Sequence, residues 1–161
     1  MALHSVLFVC LGNICRSPTA EGIFREHVVR AGLEEAVHLD SCGTGNWHVG
    51  EAPDKRAIQA ARARGYDLAP LRARQFEAHD FSRFDAIYAM DSSNLDIVSA
   101  QRPVTYSGEL CLLMDLIGPE GVEVPDPYYG GDEGFDTVID MIESAAREFV
   151  LRQQQRLSDG Q

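Results

Sequence analysis

The stretch VLFVCLGNICRSPTAEGIF, Val6 to Phe24, decides the reading of this chain. Val6, Leu7, Phe8 and Val9 form an unbroken run of strand formers, as expected of a strand covered on both faces in a parallel sheet. Downstream, Ser17 offers a helix N-cap and Pro18 a first helical position. Ala20, Ile23, Phe24, His27, Val28 and Ala31 then recur at helical spacing, and Gly32 is placed to close the helix. Between strand and helix lies a short loop, Cys10 to Arg16, that carries a thiol and a guanidinium together. In open α/β sheets ligands bind beyond the carboxyl ends of strands, so this loop is a candidate site by position alone.

The residue types in the loop suit an anion. Backbone N–H groups of a tight loop feeding a helix converge on negative charge, and the helix dipole adds to the attraction. The same surroundings favour the thiolate of Cys10, its nucleophilic form. Arg16 has a planar fork that can grip two oxygens of a tetrahedral oxyanion. Ser17 can donate a hydroxyl to the sulfur, Gly12 permits backbone angles that other residues resist, and Asn13 can pin the loop through its amide. The plainer reading makes Cys10 a small core residue and Arg16 a solvated charge; the strand before and the Ser-Pro after weigh against it.

Working outward, the spacing predicts a second strand over Val37 to Cys42 and a helix opened by Pro53 and Asp54 that runs to Arg64 and stops at Gly65. Ala86 to Met90 reads as a third strand. Ser92 or Ser93 is expected to cap a helix reaching about Ala100, and Val104 to Tyr106 a weaker fourth strand. Residues 118–134, rich in proline and glycine, read as an ordered loop of the length that often carries function. A last helix shows one apolar face from Phe135 to Val150, and the polar tail from about residue 155 is expected to fray. The alternation implies one α/β domain over residues 1–161, a central four-stranded parallel sheet with helices on both faces.

Bulk properties narrow the partners. A formal net charge of -11, with Lys55 the sole lysine, gives an averaged field that repels nucleic acid, so a bound anion must be held by local donors. The cysteines Cys10, Cys15, Cys42 and Cys111 are too few and irregular for a disulfide scaffold or a zinc site. Reduced thiols, and no apolar run long enough for a signal or a membrane span, lead to the expectation of a cytoplasmic protein. No GxxxxGK[ST] occurs, and Gly43-Thr44-Gly45 lacks the third glycine of a dinucleotide loop. The histidines 4, 27, 38, 48 and 79 show no metal spacing and read as surface or helix-face residues.

These residues resemble a known family. VCLGNICRSP is similar to the phosphate-loop signature, C-x5-R-S, of the low-molecular-weight protein-tyrosine phosphatases. The resemblance continues through SCGTGNWHVG, the RARQ run at Arg72 to Gln75, FDAIYAMDSSNL from Phe84 to Leu95, and DPYYGG from Asp126. It implies Cys10 as nucleophile, Arg16 as phosphoryl binder, Ser17 as helper of the thiolate and Asp126 as general acid, with no cofactor or metal. An aryl phosphate needs its leaving oxygen protonated, and Asp126, held between Pro125 and Pro127, is placed to present a carboxyl rigidly. A bell-shaped rate profile with an acidic optimum is expected, because Cys10 must be ionised while Asp126 is protonated.

Phosphate or another tetrahedral oxyanion is expected against Leu11, Gly12, Asn13, Ile14 and Cys15, and the ring of a phosphotyrosine protein substrate against Leu11, Trp47, Tyr128 and Tyr129. By residue type alone, any of the apolar and aromatic side chains fits a core equally well; the resemblance favours Trp47 and Tyr128 or Tyr129 at the rim. The resemblance also raises a protective disulfide between Cys10 and Cys15 beside the alternative of a buried inert thiol. The chain departs from the family where many relatives carry a histidine that orders the phosphate loop: Leu71 or Arg72 stands there, and Ser41 is a candidate substitute support for Asn13. Two other readings compete, an arsenate reductase of the same fold, which needs relay cysteines, and a non-catalytic phosphotyrosine-binding module, which would lack the thiol or the acid.

Overall fold

The computed structural model describes residues 3–160. Four strands, β1 (His4–Cys10), β2 (Val37–Gly43), β3 (Ala86–Ala89) and β4 (Glu109–Leu112), form an all-parallel sheet in the order β2-β1-β3-β4. Pairing starts at His4 with Val37 on one side of β1 and at Val6 with Ala86 on the other. The chain leaves β1 toward β2 on one side and later returns to β3 on the other. Strand order therefore reverses at β1, and the crevice beyond its carboxyl end is where such a sheet admits a ligand.

Side chains of β1 alternate between two cores, as the strand period requires. Val6, Phe8 and Cys10 face a large cluster built with α1 (Arg16–Arg30) and α5 (Asp132–Asp159), where the Phe8 and Phe24 rings meet edge to face at 4.7 Å. Leu7 and Val9 face a smaller cluster with Phe76, Phe81, Phe84 and Val98, roofed by α3 (Asp80–Arg83) and α4 (Ser92–Ser99). The second helix in chain order, α2 (Lys55–Arg62), packs on α5. Both faces of the sheet are thus covered, as the apolar run of β1 predicts.

Several expectations need correction. Helix α1 begins at Arg16 with Cys15 at its N-cap, and no side chain caps it; Ser17 is inside the first turn because its hydroxyl is used by the site instead. Asp91, not Ser92 or Ser93, caps α4, accepting from the Asn94 N–H at 2.8 Å. The fourth strand lies at Glu109–Leu112 rather than at residues 104–106. There Pro103 starts a turn closed by the Tyr106 N–H at 3.1 Å, Val104 is fully exposed, and the Tyr106 ring packs on Phe81, so its apolar surface serves the core from a loop.

The tail also differs from its expected fraying. Helix α5 starts at Asp132, with acidic residues in its first turn to complement the dipole, and continues through Asp159. Gln153 is buried, Leu157 packs against the core, and the Arg156 guanidinium reaches Gln153 Oε1 at 2.7 Å. Those ties hold a segment whose composition reads as solvated. Gln161 lies outside the described residues.

Candidate active site

Cys10 ends β1, and the loop that follows turns sharply through Asn13, whose φ is 57°. That left-handed conformation suits asparagine better than most residues. Three loop carbonyls are engaged from outside: Cys10 O by the Thr44 N–H at 2.9 Å, Leu11 O by Gly45 at 2.9 Å and Ile14 O by Asp54 at 2.8 Å. On the inner side of the turn the Asn13 N–H donates toward the sulfur, with the nitrogen 3.3 Å from Cys10 Sγ. Gly43 is required beside the loop, because a Cβ there would stand 2.7 Å from Leu11 O.

Asn13 is saturated. Its amide donates to Ser17 Oγ at 2.7 Å and Ser41 Oγ at 3.0 Å, and its carbonyl accepts from the Arg74 N–H at 3.0 Å. The Ser41 hydroxyl donates in turn to Glu21 Oε1 at 2.7 Å, and Glu21 pairs with Arg25. Ser41 therefore occupies the supporting place expected of it, while Leu71 packs partly buried against the core. The Ser17 hydroxyl has a single proton and two acceptors within reach, Cys10 Sγ at 3.0 Å and Cys42 O at 3.1 Å. An ionised sulfur is the stronger claimant for it.

Arg16 is only 3% exposed, and its Nη1 donates to Asp91 Oδ2 at 2.6 Å and to Val124 O at 3.0 Å. Burial opposes its charge, but the Cys10 sulfur, Asp91 and Asp126 outweigh that cost and hold its pKa above the ordinary value. Asp126 approaches from the 117–131 loop; its Oδ2 stands 3.8 Å from Arg16 Nη2 and its Oδ1 accepts from the Tyr128 N–H at 3.0 Å. The Cys15 thiol is pushed up to about 12, first by burial and then by Asp54, so it keeps its proton.

A cavity of about 410 Å³ joins these groups. Of the residues expected at the site, Cys10, Leu11, Gly12, Ile14, Cys15, Arg16, Trp47, Asp126, Tyr128 and Tyr129 line it, whereas Asn13 and Ser17 stand behind it and brace it. Trp47 and Tyr129 are strongly exposed and Tyr128 less so, which puts all three at the mouth rather than in the core. Sequence reasoning missed His48, which also lines the cavity and pairs with Glu51 at 3.2 Å. It also missed Asp91, whose cap position was given to a neighbour and whose carboxylate holds Arg16. Among the described residues no group of histidine, cysteine and acidic side chains is arranged to hold a metal.

The family model described as low molecular weight phosphotyrosine protein phosphatase matches residues 5–159. The chain belongs to that family. Among its relatives, the low molecular weight phosphotyrosine protein phosphatase of Schizosaccharomyces pombe is 47% identical over 142 residues, covering 86% of this chain and 90% of that one. The low molecular weight protein-tyrosine-phosphatase of Streptomyces coelicolor is 42% identical over 147 residues, covering 89% of both. A crystal structure of an Entamoeba histolytica protein tyrosine phosphatase, with Hepes in its active site, superposes with a TM-score of 0.89 at 37% identity, over 94% of this chain and 97% of that one. Membership in the phosphatase family agrees with the four-stranded parallel α/β fold derived above.

Proposed function

We propose that this protein hydrolyses aryl phosphate monoesters, phosphotyrosine in proteins above all, through a phosphocysteine intermediate. The observation that carries the reading is the cavity of about 410 Å³ into which the Cys10 thiol, the Arg16 fork and the Asp126 carboxyl all open. Cys10 as a thiolate attacks phosphorus in line with the ester oxygen. Arg16 and the loop amides hold the equatorial oxygens as the centre flattens, which is where charge stabilisation acts in phosphoryl transfer. Asp126 gives its proton to the departing phenolic oxygen as the P–O bond breaks. In the second step Asp126 takes a proton from water as the water attacks, the P–S bond breaks, and the Ser17 hydroxyl stabilises the returning thiolate.

The aromatic mouth supports a phenyl leaving group, since Trp47, Tyr128 and Tyr129 can flank a ring whose phosphate reaches the loop. Relay cysteines for arsenate reduction are poorly supported: Cys42 is buried on the opposite face of the sheet from Cys10, and Cys111 sits on β4 away from the cavity. A binding-only module is disfavoured by the thiol and the acid both lining the cavity. The test is hydrolysis of p-nitrophenyl phosphate and a phosphotyrosine peptide. Cys10→Ser is expected to abolish turnover of both, and Asp126→Ala to reduce turnover of the phosphotyrosine peptide by roughly two to four orders of magnitude and that of p-nitrophenyl phosphate, whose phenolate leaves readily, by less. Activity of Cys10→Ser equal to that of wild type would refute the mechanism.

A further inference from the structure

The short segment 54–56 touches both halves of the site. The Asp54 N–H holds the phosphate loop through Ile14 O at 2.8 Å. The Asp54 carboxylate caps α2 and grips the Arg56 guanidinium with both oxygens, at 3.1 Å to Nε and 3.0 Å to Nη2. Arg56 Nη2 also donates to Tyr128 O at 3.0 Å, and the guanidinium lies over the Tyr128 and Phe135 rings at 5.5 and 4.9 Å. The other main-chain end of Tyr128, its N–H, is the donor to Asp126 Oδ1 at 3.0 Å.

Arg56 therefore reaches Asp126 through one residue, gripping Tyr128 by its carbonyl while the N–H of Tyr128 orients the carboxyl. Upstream the loop is anchored at Val124, whose N–H donates to Met90 O at 2.8 Å and whose carbonyl accepts from Arg16 Nη1 at 3.0 Å, whereas just beyond Asp126 the Gly130 N–H to Pro127 O bond at 3.2 Å is internal, so Arg56 is the tie from outside on that side of the acid. We infer that Arg56, locked by Asp54, is a positioning residue that sets the aim of the Asp126 carboxyl at the leaving oxygen and couples the acid loop to the phosphate loop. A planar fork is needed for this, since one side chain must hold a carboxylate, a carbonyl and two rings at once. The inference rests on the reading of Asp126 as proton donor. The Asp54–Arg56 pair is partly exposed, and such a pair at the surface contributes little to stability, so its effect is expected in the chemistry rather than in unfolding.

The test compares kcat/KM for p-nitrophenyl phosphate, whose phenolate leaves readily, with that for phenyl phosphate, whose leaving oxygen depends on a proton. Arg56→Ala is expected to lower kcat/KM for phenyl phosphate about ten-fold and for p-nitrophenyl phosphate no more than about two-fold. Competitive inhibition by inorganic phosphate should be unchanged, and Arg56→Lys should fall between the two. Added to Asp126→Ala, the same substitution should cause no further loss. Asp54→Asn, which loosens Arg56 without removing it, should reproduce the leaving-group pattern and carries the comparison if Arg56→Ala fails to fold. Equal losses on both substrates for the Arg56 and Asp54 variants, or an additive loss in the double variant, would overturn the inference while Asp126→Ala retains its own leaving-group dependence. If Asp126→Ala itself lowers both substrates equally, the donor role falls and the positioning role with it.

Discussion

Cys10, Arg16 and Asp126 line one cavity; the first two stand out in the sequence as a thiol after a buried strand and an arginine at a helix start, while Asp126 comes forward through the family resemblance, supported by its place between prolines. Their supports were not legible there, apart from Ser41, to which the departure from the family pattern pointed. Asp91 lies 75 positions from Arg16 and Tyr128 lies 72 from Arg56, so no window of sequence contains both members of a pair. Ser17 illustrates the conflict: by local rules it should cap α1, but the site recruits its hydroxyl for the sulfur. Cys15 gives a prediction at this level. Burial, then Asp54, pushes its thiol up to about 12, so at neutral pH it is almost wholly protonated and a poor nucleophile. Iodoacetamide at pH 7 should alkylate Cys10, with phosphate protecting, and leave Cys15 unmodified in peptide mapping; comparable labelling of both would contradict this.

The elements that periodicity identifies best, β1, α1 and the apolar stretch of α5, are those whose burial follows one repeating face. Boundaries failed where tertiary contacts override composition. The 104–106 segment is apolar enough for a strand, but β4 forms at Glu109–Leu112, where Leu110 and Leu112 meet Ile87 and Ala89 in register. Polar residues 153–159 stay helical because Gln153 and Leu157 find partners. The junction of β2 with the phosphate loop has a sharp requirement: Gly43 packs under Leu11 and Asn13, and a methyl group there would meet the Asn13 nitrogen at 3.0 Å. Gly43→Ala should displace the loop and cut kcat/KM on the order of a hundred-fold, with a smaller effect on the urea midpoint. Retention of full activity would show that the loop is not held from that side.

Across the molecule, a net charge of -11 opposes anions at long range, whereas the buried Arg16 attracts them at short range. The sheet order β2-β1-β3-β4 places that attraction at the crevice where β1 parts from its neighbours. Two histidines link folding to pH: burial, the largest cause for both, lowers the pKa of His4 and of His27 below 6.5. As pH falls below 6.5 the unfolded chain takes up these protons before the folded one does. Stability is therefore complete above that pH and declines toward the depressed folded values. Urea midpoints should drop between about pH 6.5 and pH 5, and the drop should shrink in His27→Gln; an unchanged slope would remove His27 from the linkage. The most direct measurement of the whole account is mass spectrometry of protein acid-quenched during turnover of p-nitrophenyl phosphate. One phosphoryl group should appear on the peptide containing Cys10, and a phosphoryl group on any other residue, or steady turnover with none on Cys10, would contradict it.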